Sequence, residues 1–312
     1  MTAYILRRLW QMAPTMLGVI VLVFLLFNWV GGDPAYILAG KMSNPEQIAN
    51  IRKQLGIDEP YWVQLWIFIK QIATFDFGAS WSTGESVANV ILTRLGPSLT
   101  VMVPFVILET FFAIALALAI AFVRGSLTDR AVMVACTVGM SISILVYIIV
   151  FQYFFAYKLG MFPVQGWGEN FGENLFRYSA LPILILLAVG IAPNLRLFRT
   201  FVLDEVGQDY VRTARAKGVT ERRILWIHVL RNASIPIITH VMANLPAVLI
   251  GSFLIERFFS IPGIGREVIL AVERSDFPVI KAITVYVAAA TMLFNLLADL
   301  MYQAVDPRVQ LK

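Results

Sequence analysis

The sequence predicts an all-α polytopic membrane protein with six transmembrane helices, both termini on the cytoplasmic side, and a sizeable external domain after the first helix. Three observations predict it. Of 312 residues, 59% are hydrophobic and 14% charged, with mean hydropathy +0.75, whereas soluble domains run at about 25% charged. Six apolar runs each reach the ~20 residues that a bilayer core demands. Between the fourth and fifth runs lies a polar insert, Asp204 to Pro236, carrying Arg212, Arg215, Lys217, Arg222, Arg223 and Arg231. Each such cation at mid-bilayer costs roughly 2.5–3.5 kcal/mol. The insert therefore sits in water, on the side that the positive-inside rule assigns to the cytoplasm.

The remaining composition narrows the function classes. The net charge of +5 is accounted for by basic inner loops, so nucleic acid is not an expected partner. The single cysteine, Cys136, lies in an apolar run and has no partner for an intrachain disulfide. The two histidines, His228 and His240, are too few and too far apart in sequence for a metal site.

The elements follow in chain order. Arg7 and Arg8 precede the first apolar run, Met12 to Val30. The run is longer than the ~7–15 residues of a signal-peptide core and no small-x-small cleavage site follows, so it reads as an uncleaved helix with its N-terminus inside. Gly32 to Gly96 is too polar to span. It holds Asp33-Pro34-Ala35, a helix over Pro45 to Leu55, and an aromatic amphipathic stretch with Trp62, Trp66 and Phe68, suited to the outer interface. Pro97 to Val123 is the second span, followed by a short inner loop with Arg124, Asp129 and Arg130. Ala131 to Tyr157 is the third, and Lys158 to Ser179 an outer loop. Ala180 to Leu197 is the fourth span, Ile237 to Ile255 the fifth and Ile280 to Ala304 the sixth. Glu256 to Val279 returns outside, with a turn signal at Ile261-Pro262-Gly263-Ile264-Gly265. Pro193 and Pro246 are expected to kink their spans. The chain thus divides into 1–31 (N-terminus and first helix), 32–96 (external domain) and 97–312 (a five-helix core, with a cytoplasmic loop at 199–236 and an external segment at 256–279).

Within the insert the pattern is helix, break, helix. Asp204, Glu205 and Asp209 supply acid to a helix N-terminus. Gly218 suits the C-cap, and Thr220 the N-cap of a second helix, with Arg223 where a capping box would place Glu or Gln. Pro236 marks entry into the next apolar run.

Two stretches here, Asp209-Tyr210-Val211-Arg212-Thr213-Ala214-Arg215-Ala216-Lys217-Gly218 and Leu230-Arg231-Asn232-Ala233-Ser234-Ile235-Pro236, carry a resemblance. They resemble the cytoplasmic "EAA" loop of ABC-importer permeases, in the form found in the oligopeptide/dipeptide/nickel permease family. The general pattern is Glu-Ala-Ala, three residues, then Gly. The chain keeps Ala214 and Gly218 and has Arg212 and Thr213 at the other two positions, so no role rests on the missing carboxylate. The resemblance extends over the whole chain, through Asp33-Pro34-Ala35, the Ile261–Gly265 segment and the Asp306-Pro307-Arg308 tail. The short N-terminus and long loop after helix one resemble the B-type subunit.

The resemblance implies a type I ABC importer permease in a bacterial plasma (inner) membrane. It implies a second, homologous permease subunit as heterodimer partner, two ATP-binding cassette ATPase subunits that carry the ATP and Mg, and an extracytoplasmic solute-binding protein. The chain itself would bind no cofactor and catalyse no reaction. In keeping with this, no G-x-x-x-x-G-K-[ST] phosphate loop occurs. The coupling helix that docks the ATPase would comprise Asp209, Tyr210, Arg212, Thr213, Ala214, Arg215, Ala216, Lys217 and Gly218. Small Ala214 and Ala216 would allow close approach, Gly218 the tight turn, and the cations the charge. Ile261, Pro262, Gly263 and Gly265 would face the binding protein.

Inside the membrane, Glu109 is a candidate by position: a proton or cation site, a substrate contact, or a structural carboxylate. Asp299 is expected to pair with a basic residue near the inner surface. Ser141, Ser143, Asn244 and Ser252 either line a polar path or hydrogen-bond between helices. A rival reading is an ion-gradient-driven secondary transporter using Glu109, disfavoured by the basic insert and the lack of an inverted repeat. A membrane-embedded enzyme would need clustered His, Cys, Ser or acids at membrane depth, which the sequence lacks.

Overall fold

At membrane depth no water satisfies the backbone, so a spanning chain must bond to itself. The computed structural model of the protein describes residues 2–29, 33–39 and 44–305. Among these it uses helices alone, with one isolated antiparallel bridge between Ala79 and Ser86. Helix α1 spans Thr2–Trp29, and three helices follow at its far end: α2 (Pro34–Ala39), α3 (Pro45–Leu55) and α4 (Tyr61–Thr74). Then come α5 (Val87–Phe122), α6 (Leu127–Ser141), α7 (Ile144–Phe151, continued by a π-wound turn to Lys158) and α8 (Ala180–Val206). The insert forms α9 (Asp209–Ala216), a short turn Glu221–Arg223 and a π-wound stretch Ile224–Val229, which runs into α10 (Leu230–Asn244). The chain closes with α11 (Pro246–Ile250), α12 (Phe253–Phe258), α13 (Ile264–Glu273) and α14 (Phe277–Val305). Five stretches are long and apolar enough to cross a bilayer, and a sixth when α6 and α7 count as one bent span. The Asp306–Arg308 tail lies outside the described residues.

Several elements differ from their expected bounds. The second span begins at Val87, and Gly96 and Pro97 lie inside it; the expected domain limit after residue 96 therefore falls within a continuous helix. Val87 and Ile91 are buried against Ile264 of α13 and Val279 and Ala282 of α14, which holds the extra turns in place. The third span is two helices meeting at 93°. Ile142 is extended and the Ser143 hydroxyl caps α7 by accepting from the Leu145 amide at 3.4 Å. The Gly139 carbonyl at the break accepts from the Ile142 amide at 3.3 Å and from the Tyr147 hydroxyl at 3.1 Å. The fourth span runs on to Val206. The helix leading to the fifth starts before Pro236, which lies inside α10. Pro246 opens α11 after a one-residue interruption at Leu245, within the single membrane-crossing stretch Glu221–Phe258, and Gly251, at φ +74°, ends α11.

The main packing surface joins α5 and α8. Ala113, Ala117 and Ala121 line one face of α5 at helical spacing and are buried with Leu195, Phe198 and Val202 of α8. Nearer the other end, Val101 and Met102 meet Leu181, Ile185 and Leu186. Helix α1 is peripheral. It reaches the bundle through Ile20, Val23 and Phe24, packed on Phe68 of α4 and Val285 of α14, and through an ion pair from Arg8 to Asp299 at 2.8 Å. That pair supplies the basic partner expected for Asp299.

At the start of α14 a buried carboxylate fastens the loop after α4. Asp276 accepts from the Ser80 and Ser82 hydroxyls and from the Trp81 and Ser82 amides. Burial alone would raise its pKa; the hydrogen bonds from Ser80, Ser82 and Trp81 outweigh burial and hold it below the ordinary aspartate value. Asp276→Asn should therefore lower stability by about 2–3 kcal/mol at neutral pH, since charge-assisted bonds are replaced and an amide N–H faces donors. A carboxyl whose folded pKa is depressed contributes fully above the unfolded pKa and loses that contribution as pH falls through the folded value. Thermal unfolding in detergent should show the wild-type advantage over D276N steady above about pH 5 and shrinking below the usual aspartate pKa of 3.8. An advantage independent of pH down to about 2 would contradict this.

Candidate functional site

The insert builds a short lever held at the base of α8 and α10. Helix α9 starts after Gln208 with Asp209 in its first turn and Arg215 in its last, an order that suits the helix dipole. Gly218 ends the turn at φ +77°, with its amide on the Arg215 carbonyl at 2.9 Å and the Val219 amide on the Ala214 carbonyl at 3.2 Å. A Cβ at Gly218 would meet open space, so only the left-handed backbone asks for glycine there. Thr220 stands at the N-cap of the next turn, its hydroxyl making no capping bond.

The nine residues expected to form a coupling helix divide into two faces. Tyr210 and Ala214 turn inward around the fully buried Val211 and pack with Ile224, Leu225 and Val229. Ala214, part-buried, thus packs within the lever's own seat. The Tyr210 hydroxyl donates to Glu205 at 2.7 Å and is also hydrogen-bonded to Asn232. Burial first, with Glu205 also raising and Asn232 opposing, leaves the Tyr210 pKa pushed up to about 12, so the phenol stays a donor. This one side chain ties α9 to the end of α8 and the start of α10. Asp209, Arg212, Thr213, Arg215, Ala216, Lys217 and Gly218 face outward. Arg212 is 74% exposed, 3.3 Å from Asp209. Arg215 forms a two-pronged pair with Glu221, donating at 2.6 and 3.2 Å, and its hydrogen bond to Glu221 raises the Arg215 pKa. The neighbouring loop between α5 and α6 is clamped by Asp129, which accepts from Arg199 at 2.8 Å and from the Gly125 amide at 2.9 Å.

Across the membrane-spanning part, the structure joins two predicted residues through two that sequence reasoning left aside. Buried Glu109 on α5 hydrogen-bonds Asn194 on α8. Asn194 meets His240 of α10 at 2.9 Å, and His240 meets Asn244 at 3.3 Å. The chain runs from the buried α5–α8 seam out to exposed Asn244. A polar residue at membrane depth every three or four positions on α10, His240 then Asn244, was the available signal. Ser141 instead donates to its own helix at Thr137. Ser252 gives its amide to Glu256 at 3.3 Å. No hydrogen bond links either serine to the Glu109 chain among the described residues.

Glu256 organises the expected binding-protein segment. Its carboxylate is 1% exposed and accepts from the Ser98 hydroxyl at 2.8 Å and the Arg266 amide at 3.0 Å. Ser98 in turn accepts from the Ile264 amide at 2.8 Å. Gly251 and Gly263 pack on this carboxylate so closely that a Cβ at either would collide with it, and one at Gly265 would strike the Phe253 backbone beside it. Ile261, Gly263 and Gly265 are accordingly buried and build the loop; of the four residues expected to face a partner, Pro262 alone is part-exposed. Among the described residues no cluster of metal-ligating side chains is present.

Comparison with known proteins follows this geometry. Residues 110–311 match the family described as "Binding-protein-dependent transport system inner membrane component", and residues 1–103 match its N-terminal counterpart. The chain is 35% identical to the glutathione transport system permease protein GsiC of Salmonella choleraesuis (strain SC-B67), covering 100% of both chains. It is 35% identical to a probable peptide ABC transporter permease protein, y4tP, of Sinorhizobium fredii (strain NBRC 101917 / NGR234), covering 99% of this chain and 100% of the relative. It is 34% identical to GsiC of Escherichia coli (strain K12), again over the whole of both. These matches decide for the permease reading over a gradient-driven transporter built on Glu109. The chain, with its basic lever and bundle of apolar helices, belongs to the family of inner membrane components of binding-protein-dependent transport systems.

Proposed function

We propose that this chain forms half of the translocation pathway of an ATP-driven importer for peptides or related small solutes such as glutathione. The lever α9 faces the cytoplasm in this reading, and the helices α2–α4 and α13 face the outside. Two separate ATPase subunits with ATP and Mg dock on the lever, a second homologous permease completes the pathway, and a solute-binding protein delivers cargo from outside. The observation that carries the reading is the split of α9 into an anchored face, Tyr210, Val211 and Ala214, and an exposed cationic face, Arg212, Arg215 and Lys217. A helix held on one side and bare on the other transmits a push into the elements that hold it. Tyr210 routes that push to α8 and α10, the two helices that carry Asn194, His240 and Asn244. The polar chain ending at Asn244 lies on the substrate side in this scheme. ATP shifts the pathway only by favouring one of its two states.

Reconstituted vesicles containing the chain with its ATPases, permease partner and binding protein provide the test. Arg212→Glu should lower ATP-dependent uptake by about tenfold or more, the equivalent of one lost charge-assisted contact, while the protein stays in the membrane. The double exchange Arg215→Glu with Glu221→Arg restores the internal pair but reverses the outward charge, and should remain impaired. Gly218→Val should uncouple hydrolysis from uptake, whereas Gly218→Asn, which tolerates a left-handed backbone, should largely preserve it. Uptake unaffected by Arg212→Glu and by the double exchange would refute docking on this face.

A second measurement concerns Glu109. Its partner is the Asn194 amide, so Glu109→Gln should keep uptake within about threefold, the hydrogen bond being replaced in kind. Glu109→Leu should lower the unfolding midpoint by several degrees, consistent with about 1–3 kcal/mol for a stranded buried partner. Loss of uptake in Glu109→Gln with unchanged stability would instead make its charge part of transport.

A further inference from the structure

A cavity of about 690 Å³ lies where the end of α1, the helices α3 and α4, and the start of α14 meet. Its walls combine aromatic rings with polar side chains, among them Asp33, Arg52, Asp58 and Gln64. Phe27 and Phe277 stand edge to face at 5.3 Å, and Trp81 meets Phe277 at 5.7 Å. The Lys281 ammonium enters between two rings, 5.5 Å from the centroids of both Phe27 and Phe68. Among the described residues it takes part in no salt bridge, whereas Asp33, on the same wall, is already taken by Arg52, and Asp58, also on the wall, acts on the same guanidinium. Asn28 lines the cavity too, and its buried amide Nδ2 has no hydrogen-bond partner. Two donors without acceptors therefore border one space. Buried donors are normally satisfied, and ring faces attract a cation without supplying an acceptor for its protons.

We propose that this cavity binds a phosphate-type oxyanion, with Lys281 and Asn28 as its donors. The missing partner is an acceptor that carries negative charge, and the space exceeds what one phosphate group fills, leaving room for an attached organic moiety. The setting favours a phospholipid headgroup as the source. The exposed Trp62 and Trp66 of α4 are side chains of the membrane interface. The outer flank of α1, one turn along from Asn28, carries an open apolar groove through Leu17, Val21, Leu22 and Leu25, which suits an acyl chain. This site goes beyond the transport reading and does not depend on it, since neither Lys281 nor Asn28 belongs to the lever or to the Glu109 chain.

The test uses the full chain in detergent, in two arms. Native mass spectrometry should show phosphatidylglycerol retained about tenfold better than diacylglycerol of the same chains, as one charge-assisted contact predicts. Lys281→Gln should erase the preference and Lys281→Arg should keep it. In the second arm, inorganic phosphate added to lipid-free protein should raise the unfolding midpoint if a soluble anion is the source, again only with a cation at 281. A Lys281-dependent signal in either arm supports the site and tells the source. Wild type and Lys281→Gln behaving alike in both arms would overturn it. Should Lys281→Gln fail to fold, Asn28→Leu provides the second variant; it must weaken retention, and unchanged retention would count against the site.

Discussion

The close approach of α5 and α8 is the constraint from which most of the geometry follows. In a bilayer, helices gain little by hiding apolar surface from lipid, and association depends on packing and on interhelical polar contacts. The chain supplies both along one seam. Ala113, Ala117 and Ala121 leave room on α5 for Leu195, Phe198 and Val202 of α8. Gly190 leaves room for Glu109, since a Cβ there would lie 3.2 Å from the Phe105 ring and strike the Glu109 carboxylate. Because α8 is fixed against α5, its extension past Leu197 carries Arg199 to Asp129 and Glu205 to Tyr210. The lever is thereby placed by the same seam that places the polar chain.

Carboxylates act as fasteners at three joints of the structure. Asp129 closes the loop between α5 and α6 onto α8. Asp276 holds the segment after α4 to the start of α14. Glu256 gathers α5, α12 and α13 around one buried group. Each accepts several donors from chain segments far apart in sequence, which is how irregular backbone is tolerated beside a membrane-spanning bundle. The glycines around Glu256 follow from the same requirement, because they bring backbone close enough to crowd the acid.

Hydropathy and charge made the helical class, the spans and the lever legible from residues alone. The α9 helix and its Gly218 terminus could be read because capping chemistry is local. So could α3, whose Pro45 start and Gly56 end match their observed roles. What could not be read depends on contacts distant in sequence. The early start of α5 at Val87 rests on Ile264 and Val279, against the local advice of Gly96 and Pro97. The break at Ile142 rests on a cap from Ser143 and a hydroxyl from Tyr147, while hydropathy sees one unbroken run. Within the site, Glu109 and Asn244 drew notice as polar residues in apolar runs. Asn194 and His240, which join them, became visible only when α5, α8 and α10 were brought together.

The Arg8–Asp299 pair has a bearing on how the protein is made. Its members stand near opposite ends of the chain, and α1 otherwise touches the bundle through α4 and α14. During synthesis the first helix has only α4 to pack on until the last helix supplies Val285 and Asp299. Its long apolar stretch, Ile5–Asn28, with little burial in the finished fold, suits that wait. The earliest-born helix thus completes its contacts only when the latest-born one arrives.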